Sequence, residues 1–226
     1  MMGLEIRYPP QLFEFLRELK VNNNRDWFER NKHRYIEDVR DPMLAFIAAL
    51  GPRLRDLSPH LVADPKRSMF RIYRDVRFSK NKVPYKTVAS AFFFHQSMGK
   101  DGPGIYLHLA PDGCFLGVGS WHPDPVTRTK ITDAISAKPD PWGEIVANRE
   151  FRKLYKMEGE SMARLPRQYD PEHPHAADLK RKDFIIVSSF TEKQATAKDF
   201  LDRVDRLSRV AGPYLGFVVR AMGLKW

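Results

Sequence analysis

The spacing of apolar positions along the chain changes near residue 68 and changes back after Trp121. Before the first change the period is helical. In PQLFEFLRELK, Leu12, Phe15, Leu16 and Leu19 fall on one face of a predicted first helix. In NNNRDWFERNKHRYIEDV, Phe28, Tyr35, Ile36 and Val39 form a second stripe, with Asn23 or Asn24 placed to cap it. Pro42 sits where a first-turn proline opens a third helix through MLAFIAALGPRLRDL, and Gly51-Pro52 is expected to break it.

In FRIYRDVRF the period drops to two. Phe70, Ile72, Val76 and Phe78 share one parity and Arg71, Tyr73, Asp75 and Arg77 the other, which predicts a half-buried strand. TVASAFFFH, IYLHLA and CFLGVGSW follow as further strands, separated by the turn signals GKDGPG and PDGC. Short links between four strands predict an antiparallel meander, because parallel neighbours need long crossovers. Helical patterning resumes in DPVTRTKITDAISAK and DPWGEIVANREFRKLYKM. A loop rich in proline and histidine, the strand DFIIVSS and the capping box TEKQ come next. Phe200, Val204 and Leu207 mark a late helix, and Pro213 is placed to open a final one. The expected architecture is α+β in one domain spanning 1–226. A central antiparallel meander of four or more strands is flanked by N- and C-terminal helices.

Charge sharpens this picture. The net formal charge is +10, but it is not spread evenly. Between Lys66 and Lys86 eight cations (Lys66, Arg67, Arg71, Arg74, Arg77, Lys80, Lys82 and Lys86) face Asp75 alone, so most of the excess sits in this one segment. A local surplus speaks to a binding patch, where a uniform one would speak to solubility. Arg71, Asp75 and Arg77 share strand parity, so two guanidinium forks can flank one carboxylate. Lys80, Lys82, Tyr85 and Lys86 lie just beyond, around a turn signalled by Ser79, Asn81 and Pro84. The segment holds more donors than acceptors, which an anion would balance. Its candidate ligand-binding residues are therefore Arg71, Asp75, Arg77, Lys80, Lys82, Tyr85 and Lys86.

The segments NNNRDWF, RIYRDVRFSKNKVPYKT, GVGSWHPDP, RLPRQYDPEHPHAADLKRKDF and DFLDRV together resemble the bacterial and fungal family known as domain of unknown function 2461. The resemblance spans almost the whole chain and implies one conserved domain; it implies no activity and no catalytic residues. The family usually carries an acidic residue where this chain has Asn81, a small polar one at Val83 and a glycine at Gln168. An amide at Asn81 does not take over a carboxylate's part as base or metal ligand, which tells against a metal-dependent reading of the motif.

Three readings of function follow: recognition of an anionic small molecule bearing phosphate or carboxylate, binding of nucleic acid, and a scaffold in which the basic motif only knits the fold. For nucleic acid, the cations interleave with Phe70, Tyr73, Phe78 and Tyr85, although those aromatics also alternate as core residues would. His173 and His175 with Asp178 have a spacing that could suggest metal ligation, but the prolines around them favour an ordered surface loop, so no metal site is expected. His95 and His108 could face Arg71 and Arg77 across the meander as acid or base, although a satisfied histidine on a sheet is the simpler reading, and Cys114 follows a turn with no evident partner. Gly117 and Gly119 open space on one face of the sheet. No phosphate-cradling glycine loop or dinucleotide fingerprint occurs, so no cofactor is inferred. The longest apolar run, MLAFIAAL, is too short to cross a membrane, and the N-terminal stretch lacks a secretory pattern. With one cysteine and no membrane partner, a cytoplasmic location is expected.

Overall fold

A computed structural model describes residues 6–226. Helix α1 (Gln11–Val21) leads into α2 (Arg25–Arg34), which Asn24 caps by accepting the Trp27 N–H at 2.9 Å. A π-helical stretch, Tyr35–Arg40, joins α2 to α3 (Asp41–Leu57). The expected break at Gly51-Pro52 does not occur. Helix α3 runs through it, with Met43, Phe46, Ile47, Leu50 and Leu54 buried on one side. Packing of that face compensates for the hydrogen bond that Pro52 cannot donate.

Next come β1 (Leu61–Val62), the single turn α4 (Pro65–Ser68), β2 (Ala89–His95), β3 (Gly104–Ala110) and β4 (Gly113–Ser120). The chain continues through α5 (Pro125–Ala137), α6 (Pro139–Ala147), α7 (Arg149–Leu154), β5 (Lys156–Glu158) and β6 (Phe184–Phe190). It finishes with α8 (Glu192–Ala195) and α9 (Phe200–Ala221). The run read as helical from Asp140 onward divides at Asn148, whose side chain accepts the Phe151 N–H and starts α7. The TEKQ capping box forms as expected around Thr191 and Gln194. Pro213 opens no new helix; it lies inside α9, whose buried face of Val204, Leu207, Ala211, Leu215 and Val218 carries the helix past it.

The fold is α+β. Its sheet is six-stranded and antiparallel, in the order β1-β2-β3-β4-β6-β5. The meander β2-β3-β4 was legible, but its expected first strand at 70–78 is not part of the sheet. That segment makes only isolated bridges, Met69 to Ala91 and Tyr73 to Tyr85. Arg74 N–H donates to the Pro84 carbonyl at 2.9 Å, and a regular ladder would require Pro84 to donate back. Proline has no N–H, so pairing stops there. Beyond it turn chemistry takes over, with Arg77 N–H on the Asp75 carboxylate and Val83 N–H on the Asn81 side-chain Oδ1.

Strand alternation then sorts the sheet into two faces. Ala91, Phe93, Ile105, Leu107, Leu109, Leu116, Val118 and Ile186 are buried in the core shared with α3 and α9. Each Val, Leu, Ile or Phe side chain among them contributes about 1.5–3 kcal/mol on burial. The opposite parity holds Phe92, Tyr106, His108, Phe115, Gly117, Ile185 and Val187, all only half-buried. No helix among the described residues is long and apolar enough to cross a membrane.

At Gly119 the backbone of β4 lies close against β6. The glycine's φ is +130°, and a Cβ there would stand 2.0 Å from the Phe184 carbonyl oxygen. Gly119→Ala is expected to cost about 3 kcal/mol or more, read as a lower urea midpoint with unchanged slope. An unchanged midpoint would contradict this account of the β4–β6 pairing.

Candidate anion-binding site

The basic segment is held from behind by the motif NNNRDWF. The Asn23 side-chain amide imitates a strand. Its Nδ2 donates to the Tyr85 carbonyl at 3.0 Å and its Oδ1 accepts the Tyr85 N–H at 3.0 Å. Phe28 stacks on the Tyr85 ring, with centroids 4.1 Å apart and 18° between planes. With Tyr85 fixed, Lys86 N–H reaches the Ile72 carbonyl at 2.7 Å and aligns the two arms of the segment.

The structure distributes the sequence-predicted residues over three places. At the exposed tip, Arg77 makes a two-point pair with Asp75, Nε to Oδ1 at 3.0 Å and Nη2 to Oδ2 at 2.7 Å. The bond to Arg77 holds the Asp75 carboxyl below its usual range. Lys82 folds back on the loop, with Nζ donating to the Val76 and Arg77 carbonyls at 2.9 and 3.4 Å, and Lys80 is exposed beside them. Arg77, Asp75 and Lys82 thus satisfy one another and the turn.

On the α2 side, a cleft of about 350 Å³ is lined by Arg25, Glu29, Tyr73, Arg74 and Tyr85. Two guanidinium groups here face one carboxylate. Tyr85 contributes its ring to this cleft, while burial and the neighbouring Tyr73 push its phenol upward.

On the sheet side stand Arg71 and Lys86, joined by a residue that sequence reasoning left in a turn, Lys100. The β2–β3 connection carries Lys100 to the ring of Phe70, with its Nζ 4.2 Å from the ring centroid. The Lys86 Nζ lies 5.3 Å from the same centroid. Attraction to the ring face offsets part of each ammonium's lost hydration. Lys86 is shifted below the ordinary lysine value of 10.5 by burial and then by the charge of Arg71. Lys100 is shifted below it by burial and then by the charge of Lys86. No carboxylate forms an ion pair with Arg71, Lys86 or Lys100 among the described residues. Like charges are therefore gathered without a carboxylate in ion-pair contact among the described residues, although Arg71 attracts the Asp75 carboxylate through space and lowers its carboxyl.

The rings of the half-exposed sheet face adjoin this cluster. Phe70 meets Tyr106 edge-on at 6.0 Å, the Tyr106 hydroxyl lies 3.1 Å from His108 Nδ1, and His108 stacks on Phe115 at 4.5 Å and 14°. Burial lowers the His108 imidazole below its usual value, so it is neutral near pH 7 and no extra cation on this face.

The remaining candidates are occupied elsewhere. The buried His95 bonds the Lys225 carbonyl through Nε2 at 2.8 Å. His173 and His175 reach the Ser136 and Pro139 carbonyls, and Asp178 takes the Trp142 indole N–H and Arg181. Among the described residues no group of three His, Cys, Asp or Glu is placed to hold a metal. Burial pushes the Cys114 thiol up. Sequence reasoning also missed Asp183. This fully buried carboxylate accepts the backbone N–H groups of His122 and Glu160 at 2.7 and 2.8 Å and ties three loops together.

Asn23→Ala removes both bonds to the Tyr85 backbone. It is expected to cost roughly 1–3 kcal/mol and to speed hydrogen exchange at the Arg74 and Lys86 amides. Unchanged exchange at those two amides would show that Asn23 does not hold the segment.

A family model described as conserved hypothetical protein (DUF2461) matches residues 11–217. Among curated proteins and among solved structures, nothing matches.

Proposed function

This chain belongs to the DUF2461 family, and we propose that its basic segment recognises an anionic, phosphate- or carboxylate-bearing ligand. The observation that carries this reading is the convergence of Lys86 and Lys100 on one ring, with Arg71 beside them and no carboxylate among the described residues paired to any of the three. A ligand anion seated there offsets the mutual repulsion and gains charge-assisted hydrogen bonds. Lysine and arginine together suit phosphate, the lysines as point charges and Arg71 as a fork. The paired tip of Asp75, Arg77 and Lys82 is assigned to shaping the loop, and Lys80 to its solvated surface. The α2-side cleft, with Arg25 and Arg74, extends the positive potential around the segment.

The test is thermal unfolding in inorganic phosphate against chloride of equal ionic strength. The wild type should melt about 3–5 °C higher at ten times the phosphate dissociation constant. Lys86→Ala and Lys100→Ala should melt cooperatively yet lose that increment. An equal phosphate increment in the wild type and both variants would overturn the reading.

The pH dependence has a definite sign. A lysine whose folded-state value is depressed gives up its proton more readily folded than unfolded, so the ligand-free protein gains stability as pH rises towards 10.5. Over the same window the site loses charge. Protection by phosphate should therefore fade with rising pH, beginning before an ordinary lysine titrates. Protection that stays constant up to pH 10.5 would exclude Lys86 and Lys100 as its source.

A further inference from the structure

We propose that the half-exposed sheet face binds single-stranded nucleic acid, with bases stacked on its rings and phosphates held by the cations around Phe70. This deepens the anion-recognition reading above and rests on it.

The register places the relevant side chains in cross-strand rows. Ser90, His108, Phe115 and Ser189 are paired across four strands, and Phe92, Tyr106, Gly117 and Val187 form the next row. Phe92, Tyr106, His108 and Phe115 are all half-buried, unlike the fully buried residues of opposite parity. The rings of Tyr106, His108 and Phe115 join Phe70 in one continuous aromatic surface, and Phe92 stands opposite Tyr106 in the register. An antiparallel sheet with such rings is a stacking platform for unpaired bases, and stacking is tolerant of sequence because every base has a π-face.

Gly117 makes room for a planar guest. Gly104 and Gly119 are required by the backbone, since a Cβ at either would collide with a carbonyl oxygen at 2.3 or 2.0 Å. Gly117 is under no such demand. A Cβ there would meet the Phe115 ring at 3.7 Å and Tyr106 at 3.9 Å, ordinary contact distances. The bare position between Tyr106 and Val187 is therefore a shallow slot in the row, not a packing necessity.

Charge complementarity selects the occupant. Lys86 and Lys100 flank the platform at Phe70, Arg71 is exposed nearby, and Arg67 lies 5.1 Å above the Phe94 ring centroid. At the hairpin ends, Asp112 is already paired with Lys20 and Asp101 sits in the cleft beside His122. A duplex hides its base faces, so only a single strand can use rings and cations together.

The test is fluorescence anisotropy with labelled 12-nucleotide poly-U and poly-dT and with a duplex of equal length, each over a salt series. Both single strands should bind more tightly than the duplex, with log-linear loss of affinity in salt. Lys86→Ala and Lys100→Ala should each flatten the slope by about 0.7. Phe92→Leu, Tyr106→Leu and Gly117→Ala should each weaken the single strand about tenfold while keeping the phosphate-induced rise in melting temperature. Gly117→Ala, whose added Cβ meets only ordinary contact distances, serves as the fold-neutral variant should a ring replacement unfold the protein. Duplex binding equal to single-strand binding, or ring and Gly117 variants with wild-type affinity, would overturn the stacking proposal. Phosphate protection without oligonucleotide binding would leave the anion site standing and remove this inference alone. Loss of both would remove both.

Discussion

Burying one face of the six-stranded sheet against α3 and α9 commits every strand to a strict alternation. Once Phe93, Leu107, Leu116 and Ile186 point into the core, Phe92, Tyr106, Phe115 and Val187 have only the other side to occupy. The protein covers that second side incompletely and leaves aromatic rings half in water. The basic segment is then pinned beside it by Asn23 and Phe28, through Tyr85. Fold and site are in this sense one arrangement: the helical motif that caps α2 also places the lysine beside the exposed rings.

The energetics of that placement run against the free protein. Arg71, Lys86 and Lys100 disfavour one another's charges, and burial penalises both lysines further. The Phe70 ring repays part of this, about 0.5–1 kcal/mol per exposed cation–π contact. A bound anion would repay more, because it meets the repulsion directly. By contrast, the Asp75–Arg77 pair at the tip is solvent-exposed and worth little to stability. Pairing separates the two clusters: Asp75 and Arg77 neutralise each other, whereas no carboxylate among the described residues forms an ion pair with Arg71, Lys86 or Lys100.

How much of this was legible in the sequence depended on range. Period and turn residues gave the α+β class, the β2-β3-β4 meander, the α2 cap and the Thr191 capping box, all of which are local. The strand expected at 70–78 failed for an equally physical reason. Its alternation is real in composition, with Ile72 buried and Arg71 exposed, but Pro84 on the facing arm cannot complete the ladder. Pro52 and Pro213 erred the other way, since tertiary packing carried α3 and α9 through residues that usually end helices. The candidate site was half visible. A run of cations announced itself, yet nothing local indicated that Lys82 would turn inward to the loop carbonyls or that Lys100 would cross from a hairpin to Phe70. Both depend on contacts between segments distant in sequence.

The most direct measurement of the central claim is the titration of the Lys86 and Lys100 side-chain ammonium groups by NMR, without and with inorganic phosphate. The account predicts that both titrate below 10.5 in the free protein and that phosphate moves both upward. Two lysines titrating at the ordinary value and indifferent to phosphate would contradict it.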